Sequence, residues 1–336
     1  MNSQPPELQT DELEAVQLLH QHYQNLLQQV GGVIVGLEDV IEQLLVVLLC
    51  RGHGILEGVP GLAKTLMVST LSSLLGMTFR RIQFTPDQMP SDITGTEILE
   101  EDHTTGKRVF KFVRGPVFGN IILADEINRT PPKTQSALLE AMQERQITVG
   151  GETYKLPDPF FVLATQNPIE QEGTYALPEA QLDRFLLKIR IDFPSLEDEH
   201  QMVRQVTDHQ VGDRLNVERV ATLIQPASVL ALQRYVAALT VDPRVSDYAV
   251  RIARATRNWI GISAGASPRG GISLVRAARA RALLSGRDFV TPDDVKEVAL
   301  PALRHRVTLA PEVEIEGQGT DRLLTALLDK VDAPRL

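Results

Sequence analysis

From Val33 onward, short apolar runs of strand length alternate with segments whose apolar residues recur at helical spacing. The runs HGILEG, FRRIQFT, NIILADE and PFFVLATQN predict strands, and TLMVSTLSSLLG and KTQSALLEAMQE, lying between them, predict helices. A strand that is apolar along its whole length has no polar face to turn to water. Joined by helices, such strands predict a parallel sheet covered on both faces, the α/β doubly wound class. Two segments break the rhythm: Thr96 to Val113 predicts a hairpin turning at DHTTGK, and Gln146 to Leu156 a second turning at Gly150-Gly151.

After Phe193-Pro194 the strand signals stop, and VLALQRYVAALT, VSDYAVRIARATRNWI, ISLVRAARARALL and TPDDVKEVAL all carry helical periodicity. Ahead of the sheet pattern, residues 1–30 read as a polar helix, rich in Gln and acids, that ends at Gly31-Gly32. The expected organisation is an N-terminal helical extension at 1–30, a sheet domain at 31–194 and a helical domain at 195–336. Neither an internal repeat nor a low-complexity segment interrupts it.

Composition narrows the function classes. The chain has 336 residues and a single cysteine, Cys50, which excludes an intrachain disulfide, a Cys-based zinc site and a redox pair. Cys50 closes the apolar helical run LEDVIEQLLVVLLC and reads as a small buried thiol. The N-terminus is polar and no apolar stretch approaches membrane-spanning length, so a cytoplasmic protein in a reducing compartment is expected. A net charge of −9 argues against a surface built as a nucleic-acid cradle. Locally the balance reverses: residues 240–310 hold twelve Lys plus Arg against six acids, while residues 1–60 hold one base and eight acids. A basic helical domain could grip nucleic acid, but aromatics that would stack on bases are nearly absent from it. The seven histidines form no ligand set, and no protein-bound transition metal is expected.

The candidate chemistry begins at Gly58, Val59, Pro60, Gly61, Leu62, Ala63, Lys64 and Thr65, which follow a predicted strand and open a predicted helix. That is the setting of a phosphate loop. Glycines let the backbone approach the phosphates, successive N–H groups and the helix N-terminus favour negative charge, Lys64 reaches the β/γ-phosphates, and Thr65 would hold Mg²⁺. Ala63 stands where the general pattern has glycine, and its methyl is tolerated if φ there is negative. The run IILADE is a buried strand ending in Asp125 and Glu126. An acid at a strand end can hold the water shell of Mg²⁺, and the next carboxylate can polarise water attacking a γ-phosphate.

Three further residues stand out. FFVLATQN ends at Asn167, a neutral amide suited to orienting water or a γ-phosphate oxygen, although an Asn-Pro turn explains it as well. In PEAQLDRF, Arg184 ends a short helix, either as an arginine that stabilises spread phosphoryl charge in a neighbouring subunit or as the partner of Asp183 or Glu179. Arg269 opens the helix after SPRGG, placed to reach phosphate or simply exposed.

The segments GVPGLAKT, IILADEINR, ATQNP, PEAQLDRF and SPRGGISL, in that order, resemble the MoxR family of AAA+ ATPases over roughly residues 30–310. The resemblance implies an AAA+ P-loop αβα nucleotide-binding domain with a parallel sheet, a small α-helical lid, ATP and Mg²⁺ as cofactors, and a homo-oligomeric ring, usually hexameric. It puts Lys64 and Thr65 in Walker A, Asp125 and Glu126 in Walker B, Asn167 at sensor 1, Arg184 at the arginine finger and Arg269 at sensor 2. Arg129 competes with Arg184 for the finger. Alanine at position 63 is usual in the family, and Val35 and Gly36 fall in the segment that commonly lies against adenine. The two hairpins resemble the family's insertions, and Tyr154 in the second could touch a threaded chain or pack across strands.

The expectation is therefore an ATPase that remodels protein complexes, maturing them or inserting metal cofactors, often with a partner carrying a von Willebrand factor A domain. A nucleic-acid motor is the leading alternative, and an ATP-binding scaffold with negligible turnover the third.

Overall fold

The computed structural model describes residues 21, 23–31, 34–101, 108–167, 173–207 and 222–335. Most of the N-terminal polar helix, the DHTTGK turn and Pro168 lie outside the described residues. The chain divides into two compact units, Val33–Ala231, and Leu232–Leu336 together with Met1–Gly32.

The first unit is built on five parallel strands: β1 (Gly54–Glu57), β2 (Phe79–Gln83), β5 (Ile121–Asp125), β8 (Phe161–Gln166) and β9 (Leu187–Arg190), in the order β2-β5-β8-β1-β9. β5 and β8 are buried at every position but the last, as strands covered on both faces must be. β2, on the sheet edge, buries only Ile82 fully and carries Arg80, Arg81 and Gln83 exposed. β9 is a strand the run pattern does not single out, because LKIR is four residues long and mixes charged with apolar positions.

Helices α2 (Glu38–Leu49), α3 (Lys64–Leu74), α4 (Pro90–Thr94), α5 (Pro132–Glu144), α6 (Glu179–Leu182) and α7 (Leu196–Thr207) complete this unit, and the division between units falls within α8 (Pro226–Ala238). Phe84, Ile93, Ile122, Leu138, Phe160, Val162 and Phe185 share one buried cluster that joins the strands to α4 and α5. Cys50 caps α2 and is buried.

Both expected hairpins form. β3 (Gly95–Glu101) pairs antiparallel with β4 (Arg108–Arg114), and β6 (Gln146–Val149) with β7 (Glu152–Lys155). Gly150 and Gly151 have φ of +60° and +86°, the two positive values that a tight two-residue turn demands. The hairpins are packed on each other: the Phe112 and Tyr154 rings stack at 4.2 Å and 23°.

In the second unit, residues 23–31 are helical (α1), and α9 (Pro243–Ala255), α10 (Pro268–Leu284), α11 (Pro292–Glu297), α12 (Ala299–Leu303), α13 (Pro311–Ile315) and α14 (Thr320–Leu328) form the helical body. A two-stranded sheet, β10 (Ile262–Ala264) with β11 (Thr308–Leu309), is an addition to the expected all-helical pattern. α11 opens with a capping box in which Thr291 and Asp294 serve each other's backbone N–H groups. Among the described residues no helix is long and apolar enough to cross a membrane.

Candidate functional site

The loop from Gly58 to Thr65 leaves the carboxyl end of β1 and runs into α3. Gly58 is a close-approach glycine: a Cβ there would sit 2.8 Å from the Ile191 carbonyl oxygen. Gly61 has φ +89° with open space around it, so its conformation rather than its surroundings calls for glycine. Ala63 caps α3 with φ +51°, ψ 24°. The negative φ that would accommodate the methyl without strain is not adopted, and Ala63 sits in the left-handed region at the turn that brings Lys64 to the helix start. Val59, Leu62, Lys64 and Thr65 are half-buried, whereas Pro60 and Gly61 are exposed.

The Lys64 ammonium donates to the Gly58 carbonyl, folding back over its own loop. Burial pushes the Lys64 pKa below the ordinary lysine value, against the opposing pull of Asp125, Glu126 and Glu57. Upstream, Val35 is buried, and Gly36 has φ +75°, a conformation that favours glycine, with the Asp198 carboxylate 2.6 Å from where a Cβ would sit.

Three neighbouring strands bring the acids to this loop. β5, β8 and β1 run parallel with Glu57 beside Gln166 and Ala124 beside Ala164, so Gly58, Asp125 and Asn167 all leave the same edge of the sheet. Asp125 is side-chain exposed by only 16%. Its Oδ1 accepts from the Thr165 hydroxyl at 2.6 Å, and its Oδ2 from Arg81 Nε at 3.1 Å and Nη2 at 2.6 Å. Glu126 has φ +56°; its N–H donates to the Thr165 hydroxyl at 2.8 Å. The Glu126 Oε2 accepts from Gln83 Nε2 at 2.9 Å and pairs with Arg129 Nε at 3.0 Å.

Behind the acids, fully buried Gln135 donates to the Ile127, Thr130 and Tyr175 carbonyls at 3.1–3.2 Å, and the Tyr175 N–H donates to Asn128 at 2.6 Å. The turn after Glu126 is thereby stapled to the segment that leads into α6. Sequence reasoning passed over Arg81, Gln83, Thr165 and Gln135. The available signal was faint: two polar residues flanking Ile82 on an apolar run, and a threonine two positions before Asn167.

Asn167 follows β8 and is half-buried. Arg184 follows α6 and donates to the Gln143 side chain. Because the Leu186 N–H donates to the His53 carbonyl at 2.8 Å, Arg184 lies toward the amino ends of the strands. The Gly58–Thr65 loop lies at the other end, roughly 13 Å of strand away. Arg129 lies at the acid end, paired with Glu126. Arg269 belongs to the second unit, where its N–H donates to the Ser267 side chain at the start of α10. Tyr154 packs on Phe112 of the other hairpin, and its hydroxyl donates to Glu152 at 2.8 Å.

Known proteins resemble this chain in sequence and fold. Residues 53–187 match the sequence profile of the ATPase family associated with various cellular activities (AAA), and residues 254–327 that of the AAA lid domain. The Bacillus subtilis protein YeaC is 44% identical over 94% of this chain and 96% of its own. Chaperone MoxR1 of Mycobacterium tuberculosis is 43% identical over 92% of this chain and 81% of its own. The solved structure of a candidate ATPase from Cytophaga hutchinsonii superposes with a TM-score of 0.87 at 41% identity, covering 97% of this chain and 98% of that one. With relatives this similar along nearly the whole length, and a glycine-rich loop at the same sheet edge as two carboxylates, the chain belongs to the MoxR family of AAA+ ATPases.

Proposed function

We propose that this protein hydrolyses ATP at the subunit interfaces of a homo-oligomeric ring, six-membered by family precedent, and uses the turnover to remodel protein complexes in the cytoplasm. The observation that carries the reading is the convergence of the Gly58–Thr65 loop, Asp125, Glu126 and Asn167 on one sheet edge, close enough for both acids to act electrostatically on Lys64. The residues suit ATP and Mg²⁺. Gly58 gives the backbone its close approach, α3 opens at the loop without a side-chain cap among the described residues, and Thr65 and Asp125 offer the hard oxygen donors magnesium prefers. When bound, Mg²⁺ neutralises phosphate charge and orients the β- and γ-oxygens.

The chain's own residues then divide the work. Lys64 leaves the Gly58 carbonyl for the β/γ-phosphates. Glu126 takes the proton of a water whose oxygen bonds to the γ-phosphorus as the bond to the β–γ bridging oxygen breaks. Both donors to Glu126 fall on Oε2, so among the described residues Oε1 remains the acceptor for that water. Asn167 orients the water, and Arg269 contacts phosphate. Val35 and Gly36 line the adenine. Arg184 is favoured over Arg129 as the finger offered to a neighbour, because Arg129 is engaged with its own Glu126 and Arg184 faces away from its own loop. A protein client, matured or supplied with a metal cofactor, is supported by the chaperone named among the relatives. A partner with a von Willebrand factor A domain fits the same picture.

The test is the ATPase rate per subunit against protein concentration, beside Glu126→Gln and Arg184→Ala. The rate should climb with concentration and collapse in both variants, and Arg184→Ala should recover activity when mixed with Glu126→Gln, since each supplies what the other lacks. A rate flat in concentration and intact in Arg184→Ala refutes the shared interface.

A further inference from the structure

We propose that Arg81 competes with the divalent cation for Asp125 and so sets the magnesium requirement of the nucleotide site; the inference rests on the nucleotide reading above. Asp125 has one oxygen committed to the protein interior, Oδ1, which accepts from the buried Thr165 hydroxyl. The oxygen that a cation or its water shell would use is therefore Oδ2, and Oδ2 is the one that the Arg81 guanidinium holds with two N–H groups. The two members are not equally anchored. Asp125 ends a central strand and is 16% exposed, whereas Arg81 is on the edge strand with its side chain 48% exposed. Arg81 is the partner that can leave.

Leaving does not set it adrift. Arg81 Nη2 also donates to Gln83 Oε1 at 2.6 Å, and Gln83, two positions along the same strand, turns its amide N–H toward Glu126. Each acid around the loop already has a basic partner without metal: Asp125 has Arg81, Glu126 has Arg129, and Glu57 has Lys188 at 2.5 Å and Arg190 at 3.6 Å. A divalent cation on Oδ2 adds two positive charges beside a guanidinium that shares the same oxygen, and like charges this close repel. Arrival of the cation and departure of Arg81 are one event. Without Arg81 the site keeps an uncompensated carboxylate, which attracts the cation more strongly while holding metal-free nucleotide phosphates less well.

The experiment titrates Mg²⁺ into EDTA-treated protein at fixed N-methylanthraniloyl-ADP and reads bound nucleotide by fluorescence, in wild type, Arg81→Ala, Arg81→Lys and the neighbouring control Arg80→Ala. Removing one half-exposed charge pair should lower the half-saturating Mg²⁺ of Arg81→Ala by about fivefold and weaken nucleotide binding in EDTA. Arg81→Lys should shift the same way by less, and Arg80→Ala should match wild type. A purely structural tie between β2 and β5 predicts a lower melting temperature with the magnesium midpoint unmoved, and that result overturns the proposal. Should Arg81→Ala fail to fold, Arg81→Gln keeps the length without the charge and reads the same midpoint. Wild type that binds no nucleotide with or without Mg²⁺ overturns the nucleotide reading itself, a different result from binding that is intact and blind to Arg81.

Discussion

Thr165 is the residue on which both strand-end acids depend, and its replacement by valine isolates that role. Thr165 is 2% exposed, and its hydroxyl does two things: it donates to Asp125 Oδ1 at 2.6 Å and accepts the Glu126 N–H at 2.8 Å. Valine has the same shape and suits a strand, so the change removes polarity with little loss of packing. A hydrogen bond to an ionised carboxylate contributes about 1.5–3 kcal/mol and a neutral one about 1 kcal/mol. Asp125 keeps Arg81 and the sheet edge admits water, so the lower end applies, a loss of about 2 kcal/mol. Serine is the control: it keeps the hydroxyl and gives up one buried methyl, about 1 kcal/mol.

Activity should separate the two variants more widely than stability. Glu126 sits at φ +56°, outside the comfortable region for a residue with a Cβ, and the Thr165 bond is what fixes its N–H. A displacement of about 1 Å in a catalytic group can cost about 100-fold in rate. We expect Thr165→Val to lose between about 10- and 100-fold in kcat with KM for ATP little changed, because the phosphate loop itself is untouched, while Thr165→Ser stays near wild type. Unfolding should be followed by circular dichroism or by hydrogen exchange across β5, since the single tryptophan, Trp259, reports on the other unit. Wild-type kcat in Thr165→Val, or an equal fall in Thr165→Ser, would refute the reasoning.

Two further outcomes follow from local geometry. Ala63→Gly should stabilise the protein by about 0.5–1 kcal/mol in denaturant titration, because relief of a left-handed alanine, about 1–2 kcal/mol, exceeds the added freedom of glycine in the unfolded chain, about 0.4–1 kcal/mol; an unchanged or lower midpoint would contradict the strain. In the second unit, burial pushes the Asp294 carboxyl up, but the Arg287 hydrogen bonds together with the Thr291 N–H and hydroxyl outweigh it and hold it below the ordinary carboxylate value. A carboxyl depressed in the folded state contributes stability that is complete above the unfolded pKa, about 4, and is lost as pH falls through the folded value. Asp294→Asn should therefore be less stable than wild type at pH 7, and the gap should narrow below about pH 4 as wild type loses its charge; a gap constant with pH would show that the pair's charge contributes nothing.

What the sequence made legible and what it hid divide along a physical line. The Gly58–Thr65 loop could be read because its glycines and the opening of α3 lie on contiguous backbone, so its demands fall on adjacent residues. The strands β1, β5 and β8 could be read because burial on both faces removes polar residues from a continuous run. The same logic led to Asp125 and Glu126, which stand where such a run meets water. Thr165, Arg81 and Gln83 lie about forty residues from the acids they hold, across strands whose order β2-β5-β8-β1-β9 leaves no trace in the run pattern. Tyr154 meets Phe112 only because two hairpins from separate parts of the chain pack together. At Ala63 local preference misled: a Cβ argues for negative φ, and the turn between β1 and α3 overrides it. β2 brings the point into focus, because an edge strand needs polar residues for solubility and here two of them, Arg81 and Gln83, reach the site acids. Its alternation of Arg81, Ile82 and Gln83 looks from sequence like an ordinary half-exposed strand. Only its place beside β5 turns that surface into the wall against which both acids are held.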